Sequence, residues 1–135
     1  MNKYLAAYLA AALVMIALDV VWLGLIAKGT YQQSIGHLMS EKPNLLAAVA
    51  FYVIYAGGLL VFTLVPQADD AAWGRPMLMG ALFGLVAYAT YDLSNYATLK
   101  NWPLGLTLLD MAWGSAISAV SAGAGKAAMN WAARA

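Results

Sequence analysis

Four stretches of this chain, roughly 4–27, 44–65, 76–98 and 104–125, are apolar for about the twenty residues a helix needs to cross hydrocarbon. Nothing else in the sequence limits the fold so tightly. In lipid every backbone N–H and C=O must find a partner within the protein, and a helix achieves this inside one segment. The expected fold is all-α and integral to the membrane: a four-transmembrane-helix bundle forming a single domain over 1–135. Pro43, Pro76 and Pro103 stand at the expected starts, where a missing N–H costs nothing, and Pro66 follows an expected end. Asn101 is placed to cap the fourth helix. The first stretch is too long for a signal peptide and carries Asp19 and Trp22, so it is expected to stay attached.

Composition closes off several functions. Seven Lys and Arg against six Asp and Glu leave no basic patch, so nucleic acid is excluded as a partner. Without cysteine there is no disulfide, thiolate metal site or cysteine nucleophile, and one histidine cannot build a bis-histidine haem. No metal and no cofactor are assigned.

Against this apolar background three aspartates stand out. Asp19 lies late in the first stretch, Asp92 late in the third, and Asp110 early in the fourth. With alternate helix directions all three fall on one membrane side, about 9–12 Å in from the loops. A carboxylate at a helix centre costs about 2.5–3.5 kcal/mol on insertion scales, so these should face inward, and their shared depth points to one ligand- or proton-binding site. Stripes at three- and four-residue spacing support convergence: Tyr4, Tyr8, Ala11, Met15, Asp19 and Trp22; Gly80, Gly84, Tyr88, Asp92 and Asn95; Thr107, Asp110, Gly114, Ser118 and Ser121. For the small residues, ordinary close helix packing is the simpler reading.

The pattern D-x-x-W occurs twice, as Asp19 with Trp22 and Asp110 with Trp113. The i,i+3 spacing sets each indole N–H beside its own carboxylate; membrane-belt tryptophans are the competing reading. Tyr88, Tyr91 and Asn95 surround Asp92, and Thr107 is an accessory candidate. Tyr52 and Tyr55 could complete the same pocket, although packing is the favoured explanation for these two. Between the first two stretches, residues 30–40 form a short interfacial helix with Tyr31, Ile35, Leu38 and Met39 on its apolar face. His37 there is a candidate relay, with a solvated role or pairing to Glu41 as the plainer alternative. Lys3, Arg75, Lys126 and Arg134 on the terminal side, against Lys28, Lys42 and Lys100, lean slightly towards cytoplasmic termini.

The runs LDVVWLGLIAKGTY, IGHLMSEKPN, FGLVAYATYDLSNYATLKNWPL and LTLLDMAWG resemble the bacterial membrane-protein family catalogued as domain of unknown function 2177. The resemblance spans nearly the whole chain and is most specific at TYDLSNYATLKNWP. It implies a small four-helix protein of the bacterial inner membrane and carries no activity with it.

Three functions fit these residues. The first is proton- or cation-coupled transport or ligand translocation; inward carboxylates serve such coupling, and four helices would then need a homodimer or larger oligomer. The second is a ligand-binding or accessory subunit that holds a hydrophobic small molecule or a membrane-protein partner. The third is a membrane enzyme acting on a lipid or isoprenoid through paired carboxylates or a carboxylate-held divalent cation. No G-x-S-x-G, H-E-x-x-H or phosphate-binding loop supports the third.

Overall fold

A computed structural model describes residues 1–134. Among these residues the regular structure is helical throughout, and four helices are long and apolar enough to cross a membrane: Lys3–Ile26, Leu45–Gln67, Gly74–Thr98 and Leu104–Arg134. The first comprises α1 (Lys3–Val21) and a π-helical turn, Trp22–Ile26. The short helix α2 (Lys28–Ile35) follows, with a 3₁₀ turn at Gly36–Leu38. The second span comprises α3 (Leu45–Leu59), a π turn at Leu60–Leu64 and a 3₁₀ turn at Val65–Gln67 that holds Pro66. The last two are α4 (Gly74–Thr98) and α5 (Leu104–Arg134).

Local chemistry sets the ends. Asn2 accepts from the Tyr4 and Leu5 amides at 2.7 and 3.3 Å, and Asn44 accepts from the Ala47 amide at 3.1 Å. Each supplies an acceptor to N–H groups that have no partner within the helix. Asn101 does something other than the expected capping. It adopts the left-handed conformation at φ 61°, which asparagine tolerates, and turns the chain between α4 and α5. The first bond of α5 runs instead from the Thr107 N–H to the Pro103 carbonyl. The C-terminal helix also passes the expected end at 125 and reaches Arg134. The sequence there, AGAGKAAMNWAAR, is rich in alanine, the strongest helix former, and contains no proline. At 1.5 Å per residue α5 is about 46 Å long, well beyond a hydrocarbon core of about 30 Å.

The long α5 is the axis of the bundle, packed along α4 on one side and α1 on another, while α3 lies further out. Missing side chains make the α4–α5 seam close. A Cβ on Gly80 would lie 2.7 Å from the Ser118 carbonyl oxygen and 2.8 Å from the Ala122 Cβ, and one on Gly84 would run into the Gly114 backbone. Small residues at four-residue spacing permit such approach in membranes. The Ser115 hydroxyl crosses the seam to the Ala81 carbonyl at 2.9 Å. Ala11, Met15, Tyr55, Leu59 and Ile117 form the central core, and Ala7, Leu64 and Met129 a second one towards the termini. On α3, Leu45, Leu46 and Ile54 are each at least 74% exposed, as an outer, lipid-facing helix requires.

Candidate functional site

At the end of the bundle opposite the termini the helices part around a cavity of about 490 Å³. Every element contributes: Asp19 and Leu23 from the first span, Tyr31 and Ile35 from α2, and Phe51, Tyr52 and Tyr55 from α3. From α4 come Ala87, Tyr88 and Tyr91, and from α5 Asp110 and Trp113. The wall is mostly aromatic, with two carboxyl groups set into it.

Each of these carboxyls is held by donors from other elements. Asp19 accepts from the Tyr52 hydroxyl at 2.6 Å and from the Trp113 indole N–H at 2.9 Å. Asp110 accepts from the Tyr31 hydroxyl at 2.6 Å, and that oxygen in turn accepts from the Trp22 N–H at 3.2 Å. Charge-assisted bonds of this length are among the stronger ones available to a side chain. Burial first, and then the bond to Asp110, push the Tyr31 hydroxyl above its ordinary range, so it remains a donor at physiological pH.

The D-x-x-W spacing is thus misleading about partners. Each indole was expected to serve the carboxylate three residues before it on its own helix; the structure crosses the pairs. Trp113 of α5 serves Asp19 of α1, and Trp22 reaches Asp110 of α5 through Tyr31. The two indoles stack on one another, 4.3 Å apart and 5° from parallel, where the first span meets α5. Trp22 also opens the π turn, where the backbone is wider than in a regular helix.

The other expected residues divide. Tyr88 is in the wall, edge-on to Tyr55 at 6.2 Å and packed on Gly114. Tyr91 touches the cavity, half exposed, with its ring edge-on to Trp102 at 5.9 Å. Asp92 lies behind the wall, 1% exposed, and neither of its oxygens receives a hydrogen bond from a donor. Asn95 does not line the cavity. Thr107 is fully buried, and its hydroxyl donates back to the Pro103 carbonyl at 2.9 Å, a local helix-start bond outside the cavity. His37 is exposed in the 3₁₀ turn, away from the cavity, and makes neither an ion pair nor a side-chain hydrogen bond. No group of three or more His, Cys, Asp or Glu side chains stands in metal-binding arrangement among the described residues.

Two residues carry more than their sequence context indicates. Tyr31 reads as part of an apolar helix face yet bridges Trp22 and Asp110. Tyr52 reads as packing yet anchors Asp19. A tyrosine in a hydrophobic stretch gives no sign of where its hydroxyl will end, although three carboxylates inside apolar helices with no basic residue beside them in sequence do call for neutral donors. Tyr55, its neighbour one turn on, bonds the Ser118 hydroxyl at 2.6 Å.

Fold and site together define a four-helix membrane protein with a carboxylate-bearing aromatic cavity at one end. The family described as "Predicted membrane protein (DUF2177)" matches residues 4–127, and the chain belongs to it. Comparison with curated proteins and with solved structures gives no match.

Proposed function

We propose that this protein binds, within the membrane, a hydrophobic small molecule bearing a cationic or hydrogen-bond-donating head. The observation that carries the reading is the cavity itself: an aromatic wall into which Asp19 and Asp110 are fixed from outside by Tyr52, Trp113 and Tyr31. Aromatic faces attract cations, and apolar pockets with a few placed polar groups are the usual form of a small-molecule site.

A second reading, translocation of such a ligand by an oligomer, is favoured by the absence of any fixed counter-charge. Among the described residues the one ion pair, Lys3 with Asp69 at 3.7 Å, is at the far end. Charges neutralised only by visiting ions or protons suit coupling. A bacterial inner-membrane location accompanies either reading. Lys126, counted above on the terminal side, is buried in α5. Lys3, Arg75 and Arg134 then balance Lys28, Lys42 and Lys100, a distribution that permits insertion in both directions.

The test is tryptophan fluorescence in lipid nanodiscs, titrated with an aryl quaternary ammonium compound and with its uncharged tert-butyl isostere. The cation is expected to quench the Trp22–Trp113 pair saturably, with affinity at least about tenfold above the isostere, a difference of about 1.4 kcal/mol. Asp19→Asn should remove most of that preference. Equal affinity for the two compounds, or a preference unchanged in the variant, would overturn the reading.

A further inference from the structure

Asp92 is the carboxyl group that the hydrogen-bonded network omits, and the α4–α5 seam explains its position. Gly80 packs on Ser118 and Ala122, Gly84 on Gly114 and Ser118, and Tyr88 on Gly114. Each step of four residues along α4 is answered by a step of about four in the reverse direction along α5, as for antiparallel helices in contact. Extending the series by one step sets Asp92 of α4 level with Asp110 of α5, so the two carboxyls are neighbours across the seam.

The surroundings offer this pair no counter-charge. Tyr31 of α2 and Tyr91 of α4 face both carboxyls, and Tyr88 of α4 faces Asp110. Tyr52 and Tyr55 of α3 lie beside Asp19 of α1, which is the third acidic group at this level and is held by Tyr52 and Trp113. No lysine, arginine or histidine pairs with any of the three aspartates among the described residues. Asp92 is 1% exposed, and no protein donor reaches either of its oxygens. Two ionised carboxylates side by side with no basic partner repel, whereas a single proton between them makes one the donor and the other the acceptor of a short, strong bond.

We infer that Asp92 and Asp110 share one exchangeable proton, and that a cationic ligand entering the cavity displaces it. This rests on the binding reading above and adds to it a second, inner site with a distinct occupant. The exchange balances simply. An O–H bond of the pair breaks, the proton leaves to water at the cavity mouth, and the ligand's positive charge replaces it beside Asp110. Asp110 belongs to both sites, since one side of it faces the cavity and the other faces Asp92. Linkage then requires the apparent affinity for the cation to rise with pH, by about tenfold per unit while the pair still holds its proton in the empty protein.

Two measurements test this, one of them independent of any ligand. Infrared spectra of the ligand-free protein in H₂O and D₂O should show a protonated-carboxyl C=O band that shifts on deuteration and disappears in Asp92→Asn. Titration with the aryl quaternary ammonium compound in weakly buffered solution should release about one proton per bound cation in the natural protein and close to none in Asp92→Asn. Absence of the band at neutral pH overturns the shared proton. Loss of the band on adding sodium chloride at fixed pH also overturns it, in favour of a sodium site. Cation binding without proton release overturns the exchange while leaving the pocket reading intact. A band present with no cation binding overturns the pocket reading instead. If Asp92→Asn fails to fold, the band and the proton count of the natural protein, followed against pH, still decide.

Discussion

At one end of the bundle carboxyl groups lie around an open cavity, and two of them draw their hydrogen bonds from the side chains of Tyr31, Tyr52 and Trp113. At the other, one ammonium group is closed into the packing. Lys126 is 0% exposed, donates to the backbone carbonyl of Gln67 and lies beside the Met129 sulfur at 3.9 Å. Ala7, Leu64 and Met129 form the core cluster at this end, and Gly125, next to the lysine, lets Leu64 approach. The Gln67 carbonyl belongs to the last turn of the second span, where carbonyls lack helical partners and a cation is favoured. The contrast teaches what each end is for. An ammonium held by a backbone carbonyl among packed apolar groups fastens α5 to the second span. Charges held by side-chain hydroxyls around a cavity can change partners.

The comparison breaks most easily at the packed end. Lys126→Glu would set a buried carboxylate against the Gln67 carbonyl, and is expected to cost about 3–5 kcal/mol, the range for an uncompensated buried charge. Lys126→Met, similar in volume and uncharged, should lose less than about 1.5 kcal/mol. Unfolding in mixed detergent micelles reads both. Equal losses in the two variants would mean that the charge itself contributes nothing and the packing alone matters.

Next in size is the seam that joins the two ends. Gly114→Val places its side chain into the Tyr88 ring, whose atoms lie within 2.5 Å of where the Cβ would stand. Overpacking of this kind costs about 1–3 kcal/mol. The expected loss should be accompanied by weaker cation binding, because Tyr88 is also in the cavity wall. Gly105→Val is the control: a Cβ there meets nothing within 4 Å, so only the helix-propensity difference should appear. A similar loss in both variants would remove the seam from the account.

How far the sequence reveals these differences depends on the kind of signal. The four spans and the inward aspartates are readable because hydrocarbon penalises every departure from an apolar helix, so each exception is conspicuous. The stripe Gly80, Gly84, Tyr88, Asp92 against Asp110, Gly114, Ser118 likewise contains the register of the seam. Partner choice is another matter. Asp19 and Trp113 are separated by 94 positions and meet only because α1 and α5 pack together. The local i,i+3 rule therefore pointed each indole to the wrong carboxylate. Lys126 was misplaced for a similar reason: hydropathy fades after Ser121, yet alanine continues the helix and carries the lysine into the core.

The smallest effect sharpens the comparison at the cavity end. Tyr31→Phe removes one hydroxyl that links the Trp22 N–H to Asp110, and keeps the ring. Hydrogen bonds to charged groups contribute about 1.5–3 kcal/mol when buried, but Tyr31 is partly exposed and water can replace it. The expected stability loss is therefore about 1 kcal/mol or less. The functional readouts should move more than the stability. Without the Tyr31 donor, Asp110 has lost its hydrogen bond on the cavity side and depends more on the proton it shares with Asp92. Cation binding should then require a higher pH than in the natural protein, while the stacked indoles, which touch through their faces, keep their spectral signature. Tyr52→Phe, the equivalent deletion at Asp19, leaves the Trp113 donor in place and should weaken the cation without moving its pH dependence. If both tyrosine variants shift the pH profile alike, the two carboxyls of the cavity are not distinct in role. If only Tyr31→Phe shifts it, Asp110 is the point where the two sites meet.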